Sequence, residues 1–253
     1  MKLKRSFFLL TVATVFSVGL GHSQDAEKKP QGPERWESTI EKFEAGDQAS
    51  PPPKNALLFV GSSSIRMWEL EKNFPRRKTV NRGFGGSTIP DSNHYFDRII
   101  TPHQPKAILL YAGDNDVARE LTDEDKKVDT STEAQAEAAK KVAADFETFA
   151  ALVNEKLPDT PVIYIAIKPS TKRWNMWPAM KDANDRIAAW CEKNDGFYFA
   201  DIGAPMLADV EEGQPPADWW FKSDGLHLTQ EGYDGWAKVI KPLLKEALAA
   251  RKG

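Results

Sequence analysis

Residues 56–65, ALLFVGSSSI, set the pattern for the whole chain. Ala56 to Val60 is an unbroken apolar run with no polar alternation, the mark of a strand buried on both faces. Gly61 ends the run, Ser62-Ser63-Ser64 make a turn, and Ile65-Arg66-Met67-Trp68 begins a helical segment. Moving towards the C-terminus, further short apolar runs follow at Thr79–Asn81, Ala107–Tyr111 (AILLY), Val162–Ile167 (VIYIAI) and Phe197–Ala200. Between and after them lie helical stripes. Val142, Phe146, Phe149 and Val153 recur at helical spacing within residues 133–156. Met180, Ala183, Ile187, Trp190 and Cys191 form a second stripe, and Tyr233, Trp236, Ile240, Leu243, Leu244 and Ala247 a third, which Pro242 is predicted to kink. Strand alternating with helix predicts an α/β fold: a five-stranded parallel sheet covered by helices on both faces.

Moving towards the N-terminus, Pro51-Pro52-Pro53 breaks the chain, and Trp36, Ile40 and Phe43 predict a short amphipathic helix before it. Lys2, Lys4 and Arg5 precede an uncharged apolar stretch from Phe7 to Leu20. A polar run follows from Gln24, with Gly21 and Ser23 at the positions signal peptidase reads. That apolar core is shorter than the roughly 20 residues a membrane-spanning helix needs. The division is therefore a signal peptide at 1–23, an N-terminal helix and Pro-rich linker at 24–55, and a main domain at 56–253. The mature chain is expected to be periplasmic or secreted, with no stable membrane insertion.

Composition narrows the chemistry. A net charge of −3 argues against a nucleic-acid partner. A single cysteine, Cys191, rules out an internal disulfide and a CxxC pair. The glycines at 83, 85 and 86 lack GxGxxG spacing, and no GxxxxGK[ST] occurs, so no nucleotide cofactor is expected. Asp114 and Asp116 without a third ligand make a poor metal site, so no metal is expected.

In an open parallel sheet, ligands bind beyond the carboxyl ends of the strands. The loops there read GSSS (61–64), NRGFGGST (81–88), GDND (113–116) and KPSTKRWNMW (168–177), followed by the long 201–228 stretch. A serine at a strand-to-helix turn can be a nucleophile or only a helix cap. An Asp three residues ahead of a His, as in Asp224-Gly225-Leu226-His227, can hold the imidazole in the tautomer a serine needs. His94, between Asn93 and Tyr95, is expected on a polar helix face, and His103, between Pro102 and Pro105, in a turn. Each feature alone is equally turn chemistry.

Taken in order, FVGSSSI (59–65), NRGFGG (81–86), GDND (113–116) and DGLH (224–227) resemble the four blocks of the SGNH (GDSL-type) hydrolase family. The resemblance covers about 170 residues, most of the chain after the signal segment. It implies a flavodoxin-like three-layer α/β/α sandwich and metal-free hydrolysis of esters or thioesters. It makes Ser63 the nucleophile, two residues after Gly61 as in the family, with His227 as general base and Asp224 as its orienter. The Ser63 and Gly86 N–H groups and the Asn115 amide would form the oxyanion hole. One position departs from the family: Ser62 stands where it has Asp, which leaves Ser62 and Ser64 as rival registers.

Trp174, Trp177, Trp219 and Trp220 fall in the same loops and are expected to bind substrate, stacking on sugar or lining an acyl pocket, beside Lys168, Lys172, Arg173 and Lys222 as donors. The expected substrate is a short-chain, acetyl ester, carried on a small molecule or a glycan. A lysophospholipid or other lipid ester, a thioester, and a non-catalytic carbohydrate-binding protein on the same scaffold are the rivals. Residues 119–133, acidic and polar, are expected to form a solvated surface excursion.

Overall fold

The structure is a computed structural model that describes residues 32–250. The expected signal segment, 1–23, lies outside the described residues. In chain order the elements are α1 (Glu37–Ala49), β1 (Leu57–Gly61), α2 (Ser63–Arg66), α3 (Leu70–Asn73), β2 (Thr79–Gly83), α4 (Ile89–His94) and α5 (Phe96–Ile99). They continue with β3 (Ala107–Tyr111), α6 (Asp114–Glu120), α7 (Thr132–Lys156), β4 (Val162–Ile165), α8 (Trp177–Cys191), β5 (Phe197–Ala200), α9 (Gly203–Leu207) and α10 (Gln230–Ala250).

The five strands form one sheet in the order β2-β1-β3-β4-β5, every pair parallel. Successive residues feed opposite faces, as a period of two requires. Leu58, Val60, Ile108, Leu110 and Tyr164 pack into one core with α1, α4, α5, α7 and α8. Leu57, Phe59, Leu109, Tyr111 and Ile163 pack into the other with Trp68, Tyr233 and Trp236. The strands are apolar on both sides because both sides are covered. This is the expected three-layer α/β/α sandwich in the flavodoxin-like strand order.

Two strand ends differ from the sequence expectation, and the last helix carries its proline inside it. β2 runs on to Gly83 because its backbone stays in register with β1, Gly61 opposite Gly83. β4 stops at Ile165 rather than Ile167. The Ile167 N–H donates to Asn184 Oδ1 and its carbonyl accepts from Asn184 Nδ2, so a side-chain amide replaces the next strand neighbour. α10 passes through Pro242 without a break. Pro242 and Lys238, whose carbonyl loses its donor, are both on the exposed face, where water can satisfy that carbonyl.

The α1 segment lies on the sandwich. Ile40 is fully buried, Arg98 binds both Glu37 and Glu44, and Tyr95 Oη donates to the Pro33 carbonyl. Residues 121–129 fold into a small exposed hairpin closed by an antiparallel bridge between Thr122 and Val128.

Candidate active site

The strand order reverses between β1 and β3, which opens a crevice at their carboxyl ends. The GSSS loop leaves β1 there, and the GDND loop leaves β3. Gly61 makes the close approach possible: its φ is +133°, and a Cβ would fall 1.8 Å from the Tyr111 carbonyl oxygen. The chain can therefore turn sharply beside β3 and start α2 at Ser63.

Of the three serines, Ser62 and Ser64 are fully buried. Ser64 Oγ takes a hydrogen bond from Lys168 Nζ at 3.3 Å. Ser63 is half-buried, and its Oγ lies 3.0 Å from His227 Nε2. His227 Nδ1 lies 2.6 Å from Asp224 Oδ2. In the tautomer the carboxylate selects, Nδ1–H donates to Asp224 and Nε2 is left to accept from the serine hydroxyl. Asp224 Oδ1 also accepts the backbone N–H groups of Leu226 and His227, both at 2.9 Å. Burial raises the Asp224 carboxyl, but the hydrogen bonds from His227 and the two amides outweigh it and hold it down at about 2. The other described histidines stand apart: His94 is exposed, and His103 is buried beside Asp47, its imidazole pushed down to about 4 by burial.

Three donors converge on the same cleft. Ser63 is the first residue of α2, so its N–H has no acceptor within the helix. Gly86 sits in the left-handed region at φ +82°. Asn115 Nδ2 donates one hydrogen to the Ser87 carbonyl at 3.0 Å, leaving its second for a ligand. Ser63, Gly86, Asn115 and His227 line one cavity of about 520 Å³. Trp36, Thr39, Arg66, Gly85 and Leu226 supply the rest of its wall.

Beneath Asn115 lies a buried charge network that sequence reading missed. Lys168, 1% exposed, spends its three hydrogens on Asp114 Oδ2 (2.9 Å), Tyr111 Oη (2.8 Å) and Ser64 Oγ (3.3 Å). Arg173 reaches Asp114 at 3.2 Å and donates from Nη2 to Asn115 Oδ1 at 2.9 Å. Burial raises the Asp114 carboxyl, yet the two cations hold it at about 2. Burial lowers the Lys168 ammonium from its ordinary value, against the pull of Asp114. Lys168 is thus a structural partner, not the substrate donor expected from its loop. Asp116 accepts the backbone N–H groups of Ile89 and Gly113, tying the second loop to the third. Burial, aided by the charge of Asp114, pushes its carboxyl up to about 7 although the Ile89 amide donates to it. Both aspartates have these other duties, and among the described residues no group of three His, Cys, Asp or Glu is placed to hold a metal.

The four tryptophans expected to bind substrate do not line the cleft of Ser63. Trp220 is buried over the glycines of α10, where a Cβ on Gly235 would fall 2.5 Å from its ring. It props the loop that carries Asp224 and His227. Trp219 stacks on it and is half exposed. Trp174 and Trp177 stack on each other at 6.0 Å and line a different cavity, with Leu207 and Val210. The aromatic wall of the cleft is Trp36 instead. Its helical spacing with Ile40 and Phe43 marked it for packing, and no motif tied it to the serine loop.

Residues 61–234 match the model of the GDSL-like Lipase/Acylhydrolase family. A platelet-activating factor acetylhydrolase IB subunit alpha2 from Rattus norvegicus is 24% identical over 225 residues, covering 84% of this chain and 83% of its own. The fold resembles a GDSL-like lipase from Bacteroides thetaiotaomicron, with TM-score 0.66, 22% identity, and 83% and 98% of the two chains covered. It also resembles an acetylxylan esterase from Geobacillus stearothermophilus, with TM-score 0.53, 14% identity, and 77% and 94% covered. The family match takes in the serine turn, the GDND loop and the Asp-x-x-His loop together, and the chain belongs to the GDSL-like lipase/acylhydrolase family of carboxylic ester hydrolases.

Proposed function

We propose that the protein is an exported serine esterase that removes short acyl groups, acetyl above all, from a carbohydrate-type alcohol. The observation that carries this reading is the continuous hydrogen-bonded line from Ser63 Oγ through His227 to Asp224, at 3.0 and 2.6 Å. Ser63 attacks the ester carbonyl while His227 Nε2 takes its proton, and Asp224 stabilises the imidazolium that results. The carbonyl oxygen becomes negative and is met by the Ser63 and Gly86 N–H groups and the Asn115 amide. His227 returns the proton to the departing alcohol, leaving an acetyl-enzyme. Water then enters, His227 takes its proton, and acetate leaves as Ser63 is restored.

Several features support a small acyl group and a polar alcohol. The cleft is open and lined by Trp36, Arg66 and Thr39 rather than by a continuous apolar surface. The fold relative from Geobacillus stearothermophilus acts on acetylated xylan, and the Rattus norvegicus relative is an acetylhydrolase. The latter name, platelet-activating factor, favours a second reading in which the alcohol is a lipid. Export rests on the basic start, apolar core and small residues of positions 1–23. Among the described residues no helix is long and apolar enough to cross a membrane.

The test is kcat/KM for p-nitrophenyl acetate against the octanoate ester, beside acetate release from acetylated xylan, with wild type and Ser63→Ala. The expected result is acetate preferred, glycan deacetylated and the variant inactive. Octanoate preferred by roughly tenfold, about 1.4 kcal/mol in the barrier, with no glycan turnover, would replace this reading with the lipid one.

A further inference from the structure

Arg66 stands apart from the other well-placed arginines. Arg35, Arg82, Arg98, Arg173 and Arg186 each have a carboxylate partner. Arg66 is exposed, and no carboxylate among the described residues pairs with it. It lies on the wall of the cavity that holds Ser63, Asn115 and His227, and among the described residues no Asp or Glu lines that cavity.

Its position is fixed on two sides. Arg66 is three residues after Ser63 on α2, so the two side chains share a helix face. Its backbone is clamped against β2, where a Cβ on Gly83 would meet the Arg66 nitrogen at 2.2 Å. The guanidinium lies on the bare backbone of Gly85: a Cβ there would fall 3.0 Å from Nε and 3.3 Å from Nη2. A loop without a side chain at 85 thus seats the guanidinium beside the nucleophile, and no side-chain N–H of Arg66 has an acceptor among the described residues. A planar fork of donors in that state matches a carboxylate or a phosphate in two-point geometry.

We propose that Arg66 anchors an anionic group, carboxylate or phosphate, borne on the alcohol part of the substrate close to the ester bond. The inference rests on the esterase reading above and sharpens it. An acetyl group has no atom to spare for a charge, so the anion belongs to the alcohol. Two sources share this chemistry, an acidic sugar and a glycerophosphate headgroup, and Trp36 stands on the same wall for either.

The experiment compares kcat/KM within matched pairs: acetylated methyl glucuronoside against acetylated methyl glucoside, and acetylated glycerol 3-phosphate against acetylated glycerol. Each pair is run with wild type, Arg66→Gln and Arg66→Lys, and p-nitrophenyl acetate serves as the common ester. Using the charged-to-neutral ratio cancels any general loss in a variant. In wild type at least one ratio should exceed one, and in Arg66→Gln that ratio should fall roughly 10- to 100-fold, as for a lost hydrogen bond to a charged group. Arg66→Lys keeps the charge without the fork and should fall in between. The wild-type ratio should also shrink as salt rises from about 0.05 to about 0.5 M. The pair that shows the preference identifies the source. Equal ratios in wild type and Arg66→Gln, or a wild-type preference for both neutral partners, overturn the anion site while leaving the esterase reading intact. No hydrolysis of any of the five esters by wild type overturns the esterase reading itself.

Discussion

Arg173 Nη2 donates to Asn115 Oδ1 at 2.9 Å, and this bond decides which way the Asn115 amide faces. With its oxygen held by Arg173 and one hydrogen on Ser87, the amide has one N–H left to offer the cleft. Arg173 is in turn held by Asp114, and Asp114 by Lys168. Arg173→Ala should therefore lower kcat on an acetate ester by roughly 10- to 100-fold with little change in KM. In an Asn115→Ala background the same change should cost much less, because two groups acting as a unit are not additive. Equal losses in both backgrounds would show that Arg173 acts elsewhere.

Asn115→Ala alone should reduce kcat by roughly 10²–10³ and leave KM nearly unchanged, since an oxyanion donor acts mainly in the transition state. A change confined to KM would make Asn115 a substrate-binding residue.

Ser63→Ala should abolish turnover, and a phosphonate probe should label Ser63. Ser64→Ala should show up in thermal stability instead, because Ser64 Oγ is buried against Lys168. A phosphonate adduct on Ser62 or Ser64 would require a different register for the serine turn.

Acid should weaken the fold through Asp114. Its carboxyl is depressed to about 2 in the folded protein. The stability it contributes is complete above the unfolded value near pH ~3.9 and is lost as pH falls through the folded one. For a fully buried group that shift corresponds to about 2 kcal/mol. Asp114→Asn should flatten this part of the pH–stability curve. At neutral pH it should destabilise by about 3–5 kcal/mol, because Lys168 and Arg173 are left without their counter-charge. Chemical denaturation of both proteins from pH 7 down to pH 2 measures both effects.

The two adjacent tryptophans should behave oppositely. Trp220→Ala removes a buried ring from above α10 and should cost about 3–5 kcal/mol. Trp219→Ala removes a half-exposed ring and should cost well under that. Melting curves for the two variants are a sufficient check.

Periodicity made the layers readable because both faces of each strand are covered, so an unbroken apolar run could mean little else. The serine turn was readable because it sits at the end of β1, and the Asp-x-x-His loop because its two residues lie three apart just ahead of α10. Lys168 and Arg173 were misjudged as ligand donors because a lysine after a strand reads as exposed, and only the fold shows that Asp114 lies beneath it. The burial of Trp220 was hidden for the same reason: it fills a gap left by Gly232 and Gly235, a match between residues on different elements. Trp36 was missed as a cleft residue because neither spacing nor motif relates residue 36 to residue 63, whereas Arg66, three residues after Ser63, was within reach of helical spacing.

Trp36 and Thr39 stand on the cleft wall, yet both lie outside residues 61–234, the part of the chain that matches the family. The residues placed for bond cleavage all fall within that span, while one side of the entrance is lent by a helix that precedes it. Part of the cleft's selectivity therefore comes from outside the stretch that carries its reactivity. Changes at positions 36 and 39 would reshape the entrance without touching Ser63, Asp224 or His227, so what reaches the nucleophile can vary while the chemistry at it stays the same.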